Sequence, residues 1–109
     1  MKIIYKYKLS CGGIDHIKMP QSATILNLGL DPVGNLCFWA EVQTDAPTIS
    51  MDIVSVGTGW PLDELFTIED NFFYLGTIND GIYMWHYYGR KMTEKETEYW
   101  NSLEKDWPQ

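Results

Sequence analysis

A chain of 109 residues with a formal net charge of −7 is long enough to bury one core as a single domain without disulfides or metal. No run approaches the roughly 18 apolar residues that span a membrane, and Met1-Lys2-Ile3-Ile4 leads into lysines instead of an apolar leader core. A soluble, unprocessed, cytoplasmic chain is therefore expected, and the acidic balance argues against a nucleic-acid reader, which needs a basic face.

The charge is unevenly laid out. Residues 1–30 carry four lysines against Asp15, residues 31–89 carry nine acids and not one Lys or Arg, and residues 90–109 carry four bases against five acids. Such an acidic middle matches a basic protein surface better than a phosphate backbone. Aromatic residues make up 15% of the chain, and side chains of this kind serve both cores and interfaces. Cys11 and Cys37 form no CxxC and have no His at ligand spacing, so two reduced thiols are expected and no metal site.

In chain order, Lys2 to Leu9 alternates, with Ile3, Tyr5, Tyr7 and Leu9 on one face, the pattern of a half-buried strand. Cys11-Gly12-Gly13 turns the chain into Ile14 to Met19, where Ile17 and Met19 are in phase, and Pro20 ends that strand. Ala23 to Leu30 follows with Leu26, Leu28 and Leu30 on one face, closed by the turn Asp31-Pro32-Val33-Gly34-Asn35. Leu36 to Val42 is the most apolar strand and is expected to be central. After Thr44 to Pro47, Ile49 to Val56 runs into Gly57-Thr58-Gly59-Trp60-Pro61. Leu62 to Asp70 is acidic and reads as a loop with one helical turn. Phe72 to Ile78 and Ile82 to Tyr88 are joined through Asp80-Gly81, read as a two-residue hairpin turn.

From Thr93 the period changes. Thr93 and Glu96 match a capping box, and Met92, Tyr99, Trp100, Leu103 and Trp107 recur every three or four residues, predicting an amphipathic helix ended by Pro108. The expected fold is mainly β: a small antiparallel sandwich or partly closed barrel of about seven strands over residues 1–90, with one helix over 91–109 appended to the same domain.

Gly57-Thr58-Gly59 offers backbone N–H groups to an anion, as glycine-rich loops do. It lacks the lysine of a P-loop and the longer dinucleotide fingerprint, so a structural turn is the favoured reading. His86 reads as a hydrogen-bonded sheet residue, because no serine or cysteine nucleophile stands in a motif near it. The carboxylates Asp63, Glu64, Glu69 and Asp70 lack calcium-loop spacing. Lys6, Lys8, Arg90 and Lys91 are the cations that would neutralise an anionic ligand if the fold gathered them. The stripe of Tyr99, Trp100, Leu103 and Trp107 either docks on the sheet or makes an oligomer or partner contact, and the contact is the expectation carried forward.

Several pieces together resemble a widespread, poorly characterised family of small phage-encoded β proteins. They are Ile4-Tyr5-Lys6-Tyr7-Lys8-Leu9, Ile17-Lys18-Met19-Pro20 with Ala23-Thr24-Ile25-Leu26, Phe38-Trp39-Ala40-Glu41-Val42, Val56-Gly57-Thr58-Gly59-Trp60-Pro61, Tyr74-Leu75-Gly76-Thr77 and Trp85-His86. The resemblance implies a phage or prophage accessory protein acting in the bacterial host cytoplasm, with no established activity, and the segment from Thr93 is a departure from its pattern. By analogy, small phage proteins of this size often counter host defences.

The resulting expectation is a non-enzymatic binding protein without cofactor or metal. The leading partner is a host bacterial protein, and the candidate residues are Gly57, Thr58, Gly59, Trp60, His86, Lys6, Lys8 and Arg90. The alternatives are an oligomeric sponge that sequesters a small anionic nucleotide signal and a structural phage component.

Overall fold

The structure, a computed structural model, describes residues 1–63 and 72–91 together with Lys95, Glu98, Tyr99 and Ser102. Seven strands are defined: β1 (Lys2–Lys8), β2 (Ile14–Pro20), β3 (Thr24–Leu30), β4 (Leu36–Gln43), β5 (Thr48–Gly57), β6 (Phe73–Asn79) and β7 (Met84–Lys91). All pairings are antiparallel, in sheets ordered β1-β4-β3 and β2-β5-β7-β6. Of the two architectures the sequence allowed, the sandwich forms. The sheets remain separate and no barrel closes among the described residues.

Alternation explains how the sheets meet. β4 lies between β1 and β3 and turns Phe38, Ala40 and Val42 inward, while β2, β5 and β7 answer with Met19, Met51, Ile53 and Tyr87. Ile3, Tyr7 and Leu9 pack on this core as the β1 pattern predicts, but Tyr5, expected on the same face, is largely exposed. Tyr87 is completely buried, and its hydroxyl donates to the Ser10 carbonyl at 3.0 Å, tying β7 of one sheet to the exit of β1 in the other. Burial raises the Tyr87 phenol well above its ordinary value, so it stays a donor. At Gly89 an added Cβ would run into the tips of the Met51 and Leu75 side chains, so a larger residue there would force both to repack.

Two edge strands depart from simple alternation. Leu26 in β3 and Leu75 in β6 fall where the ladder skips a residue, and such a bulge reverses the phase of the side chains beyond it. The face expected to hold Leu26, Leu28 and Leu30 is therefore broken. Ile25 and Leu28 pack on the core, whereas Leu26 is exposed at the bulge and Leu30, in phase with Leu28, is exposed at the end of the strand.

The β6–β7 hairpin is also shifted by one residue from the expected Asp80-Gly81 turn. The Asp80 N–H donates to the Tyr83 carbonyl at 3.0 Å, so the reversal falls on Gly81 and Ile82. Gly81 has φ +97°, a value that glycine takes without strain at the first central position of a type II′ turn. Asp80 gains by the shift, because its carboxylate then faces the N–H groups of Ile82 and Tyr83.

The predicted C-terminal helix lies mostly outside the described residues, including Trp100, Leu103 and Trp107. Lys95, Glu98, Tyr99 and Ser102 are described and have helical backbone, but four separated positions do not delimit an element. No described helix is long and apolar enough to cross a membrane. Cys11 is exposed and Cys37 buried, both as free thiols; burial raises the Cys37 thiol above its ordinary value.

Asp31 organises the β3–β4 turn. Its side chain is 1% exposed, and its carboxylate accepts from the Val33 and Asn35 N–H groups at 3.1 and 2.8 Å and from Lys6 Nζ at 3.0 Å. The Asn35 N–H bond, followed by the Lys6 bond, lowers its pKa from 3.8 to about 2. The folded value lies below the unfolded one, so the Asp31 contribution is complete above about pH 4 and is lost as the pH falls toward about 2. Asp31→Asn should be less stable than the parent at neutral pH and should lose less stability across that acid window, as followed by urea unfolding. Parallel pH profiles for the two proteins would refute this role.

Candidate functional site

One end of the four-stranded sheet carries a cleft of about 630 Å³ lined by Gly57, Thr58, Trp60, Ile82, Tyr83, Met84 and Trp85. Two local features build it. The first is the turn that follows β5: the Trp60 N–H donates to the Gly57 carbonyl at 3.1 Å, and Gly59 takes φ +88°, the positive value required at the third position of a type II turn. This reversal folds the Trp60 indole back over the backbone of Gly57, where an added Cβ would stand 2.9 Å from the ring. Gly12 leaves room for the far edge of the same ring, since a Cβ there would sit 3.3 Å from it.

The second feature is the β6–β7 hairpin. Asp80 accepts from the Ile82 and Tyr83 N–H groups at 2.8 and 2.6 Å and from the Trp85 indole N–H at 2.9 Å. These bonds lower the Asp80 pKa below the ordinary carboxylate value, with the Tyr83 N–H contributing most, so the group is anionic at neutral pH. Trp85 is thereby fixed with its ring edge-on to Trp60, centroids 5.5 Å apart and planes at 85°. Tyr83 is inclined to Trp85 at 59° with centroids 6.0 Å apart. Three rings thus stand as walls of one concavity. Ile82 is 82% exposed and Tyr83 63% exposed, an unusual outlay of apolar surface for a hairpin tip.

His86 and Thr58 come together beside this cleft. The imidazole bonds Thr58 Oγ1 through Nε2 at 2.8 Å and Thr77 Oγ1 through Nδ1 at 2.9 Å, and Thr77 Oγ1 in turn shares a hydrogen with the Tyr74 hydroxyl at 2.5 Å. A hydroxyl can donate or accept, so either neutral tautomer is satisfied. The chain from Tyr74 through Thr77 and His86 to Thr58 ties the turn to the outer face of β6 and β7. His86 is the hydrogen-bonded sheet residue its pattern predicts, and what it holds is the Gly57-Thr58-Gly59 turn.

The cations do not gather there. Lys6 and Lys8 project from the outer face of the three-stranded sheet, and Lys6 is engaged by Asp31. Arg90 lies four residues along β7 from His86, roughly 13 Å at strand rise. Its guanidinium pairs with Asp52 at 3.0 Å and lies 5.7 Å above the Phe72 ring, while Asp52 also receives His16 Nδ1 at 2.5 Å. Lys91 borders a separate apolar cavity of about 350 Å³ beside Met19, Ile25, Met51 and Leu75. Tyr99 is exposed; its companions on the stripe are outside the described residues. Among the described residues no three His, Cys, Asp or Glu side chains cluster as metal ligands.

Of the residues singled out from the sequence, Gly57, Thr58, Trp60 and His86 come together at this end of the sheet, with Gly59 in the same turn. Sequence reasoning missed Asp80, Ile82, Tyr83, Met84 and Trp85, and the Tyr74–Thr77 limb. A signal was available in Ile82-Tyr83-Met84-Trp85, a continuous apolar run directly after a turn, where polar residues are the rule.

Fold and site together define a small two-sheet β-sandwich with an aromatic cleft at one end. The chain matches the family model described as a domain of unknown function (DUF7352) over residues 1–98, and it belongs to that family. The match extends past β7 into the segment that begins at Thr93. No curated protein and no solved structure matches the chain.

The packing of Trp60 on Gly57 generates a direct expectation. Gly57→Ala should push the indole off its seat, red-shifting tryptophan emission, weakening near-ultraviolet dichroism from the Trp60–Trp85 pair, and costing about 1–3 kcal/mol in overpacking. Spectra and stability matching the parent would show that the ring does not rest there.

Proposed function

We propose that this protein is a non-enzymatic binding module that grips a partner protein in its aromatic cleft, acting as a phage-type accessory protein that inhibits a host bacterial protein in the host cytoplasm. The observation that carries the reading is the cleft itself. Ile82, Tyr83 and Trp60 leave large apolar area open at one end of a well-filled sandwich, and exposed patches of that kind, rich in Trp and Tyr, are where protein interfaces concentrate their energy.

The surroundings support the same reading. The cleft belongs entirely to the stretch from residue 31 to residue 89 that has nine acids and no Lys or Arg, so it presents an apolar centre within an acidic segment. That combination suits a basic partner surface, with charge speeding encounter and apolar contact holding the complex. The phage setting and the counter-defence role rest on the sequence resemblance. Sequestration of a nucleotide is less well supported, because Lys6, Lys8 and Arg90 lie away from the Gly57-Thr58-Gly59 turn within one chain.

The test begins with affinity capture from bacterial lysate, followed by purification of the recovered protein and titration against parent and Ile82→Ser/Tyr83→Ser. Both side chains are exposed, so the melting temperature should hold. Loss of anchors worth about 2 kcal/mol should weaken binding about 30-fold. Equal affinity of the double variant for the purified partner would overturn the reading.

A further inference from the structure

We infer that the cleft is a receptor for a cationic side chain, and that the partner lays an arginine against the aromatic walls that Trp60, Tyr83 and Trp85 present to it, on the side of Trp85 held by Asp80. This rests on the binding reading above and specifies the chemistry of the group that enters.

The geometry favours a cation over a neutral apolar anchor. Each aromatic face carries partial negative charge, and a cation is attracted to faces that enclose it from several directions. Trp60 and Trp85 are nearly perpendicular at 85°, and Tyr83 leans on Trp85 at 59°, so the rings bound a concavity in place of stacking into a closed layer. The Trp85 indole N–H donates to Asp80 Oδ2 at 2.9 Å. Hydrogen bonding to an anion increases electron density on the donor ring, strengthening its attraction for a cation. Asp80 supplies a full negative charge next to the Trp85 wall, secured by the Ile82 and Tyr83 N–H groups and kept ionised by them.

Charge complementarity identifies the occupant further. Every residue lining the cleft falls in the stretch without Lys or Arg, so that stretch provides no cation of its own to fill it. The same fold already places a guanidinium over a ring elsewhere, Arg90 above Phe72 at 5.7 Å. Arginine is preferred to lysine because a planar, weakly hydrated guanidinium lies flat on an aromatic face while its edge N–H groups reach a carboxylate.

Three capped tripeptides, acetyl-Gly-Arg-Gly-amide and its citrulline and norleucine counterparts, separate charge from shape. Titrated into the full chain, the arginine probe should shift the indole N–H resonances of Trp60 and Trp85 saturably, binding about three- to five-fold or more tighter than citrulline or norleucine. Tyr83→Leu and Asp80→Asn should each weaken the arginine probe several-fold and narrow its advantage over the norleucine probe. Citrulline or norleucine binding as well as arginine would overturn the inference and leave an apolar site. Arginine binding indifferent to Tyr83→Leu would overturn it as well. If the purified partner still depends on Ile82 and Tyr83 while no probe moves the indoles, the cationic occupant fails and the binding reading survives.

Discussion

The Asp80 carboxylate is the constraint on which the aromatic end of the molecule depends. One anionic side chain accepts from two backbone N–H groups and one indole, and in doing so it decides three things. It moves the hairpin reversal to Gly81 and Ile82, it sets the orientation of Trp85, and it leaves a fixed negative charge beside that indole. Bonds to a charged acceptor are worth more than neutral ones, so a short exposed hairpin is held in one shape. Without that shape the apolar tip would have every reason to collapse onto the sheet.

The opposite wall is held by different physics. Trp60 is placed by absence: no side chain at Gly57 or Gly12, and a positive φ at Gly59 that reverses the chain. The hydrogen-bonded line from Tyr74 to Thr58 then locks the turn against the outer face of the sheet. A glycine-dependent turn and a carboxylate-dependent hairpin, distant in sequence, therefore meet because β5 and β7 are neighbours in register, with Gly57 opposite Trp85.

This dual origin explains what was legible beforehand. Strand positions followed from alternation because five of the seven strands are regular ladders, and β4 was recognisable as central because its inward set is unbroken. Leu26 was misassigned because a bulge changes phase without any marker residue such as glycine or proline, and Leu30 because it is the last residue of its strand. The turn at Gly57 could be read locally. The cleft could not, because its other half depends on which strand lies beside β5, and antiparallel order is a long-range property. Lys6 and Arg90 looked available to an anion only while Asp31 and Asp52 were unplaced; once paired, each cation has a carboxylate of its own.

The central claim is that the aromatic end is where the protein meets its partner. Hydrogen–deuterium exchange of the full chain with and without the purified partner measures this residue by residue. Protection should concentrate on the turn around Thr58 and Trp60 and on the hairpin from Ile82 to Trp85, with β1 and β2 unchanged. Protection confined to β1 and the outer face that carries Lys6 and Lys8, with the hairpin exchanging as in the free protein, would contradict the account.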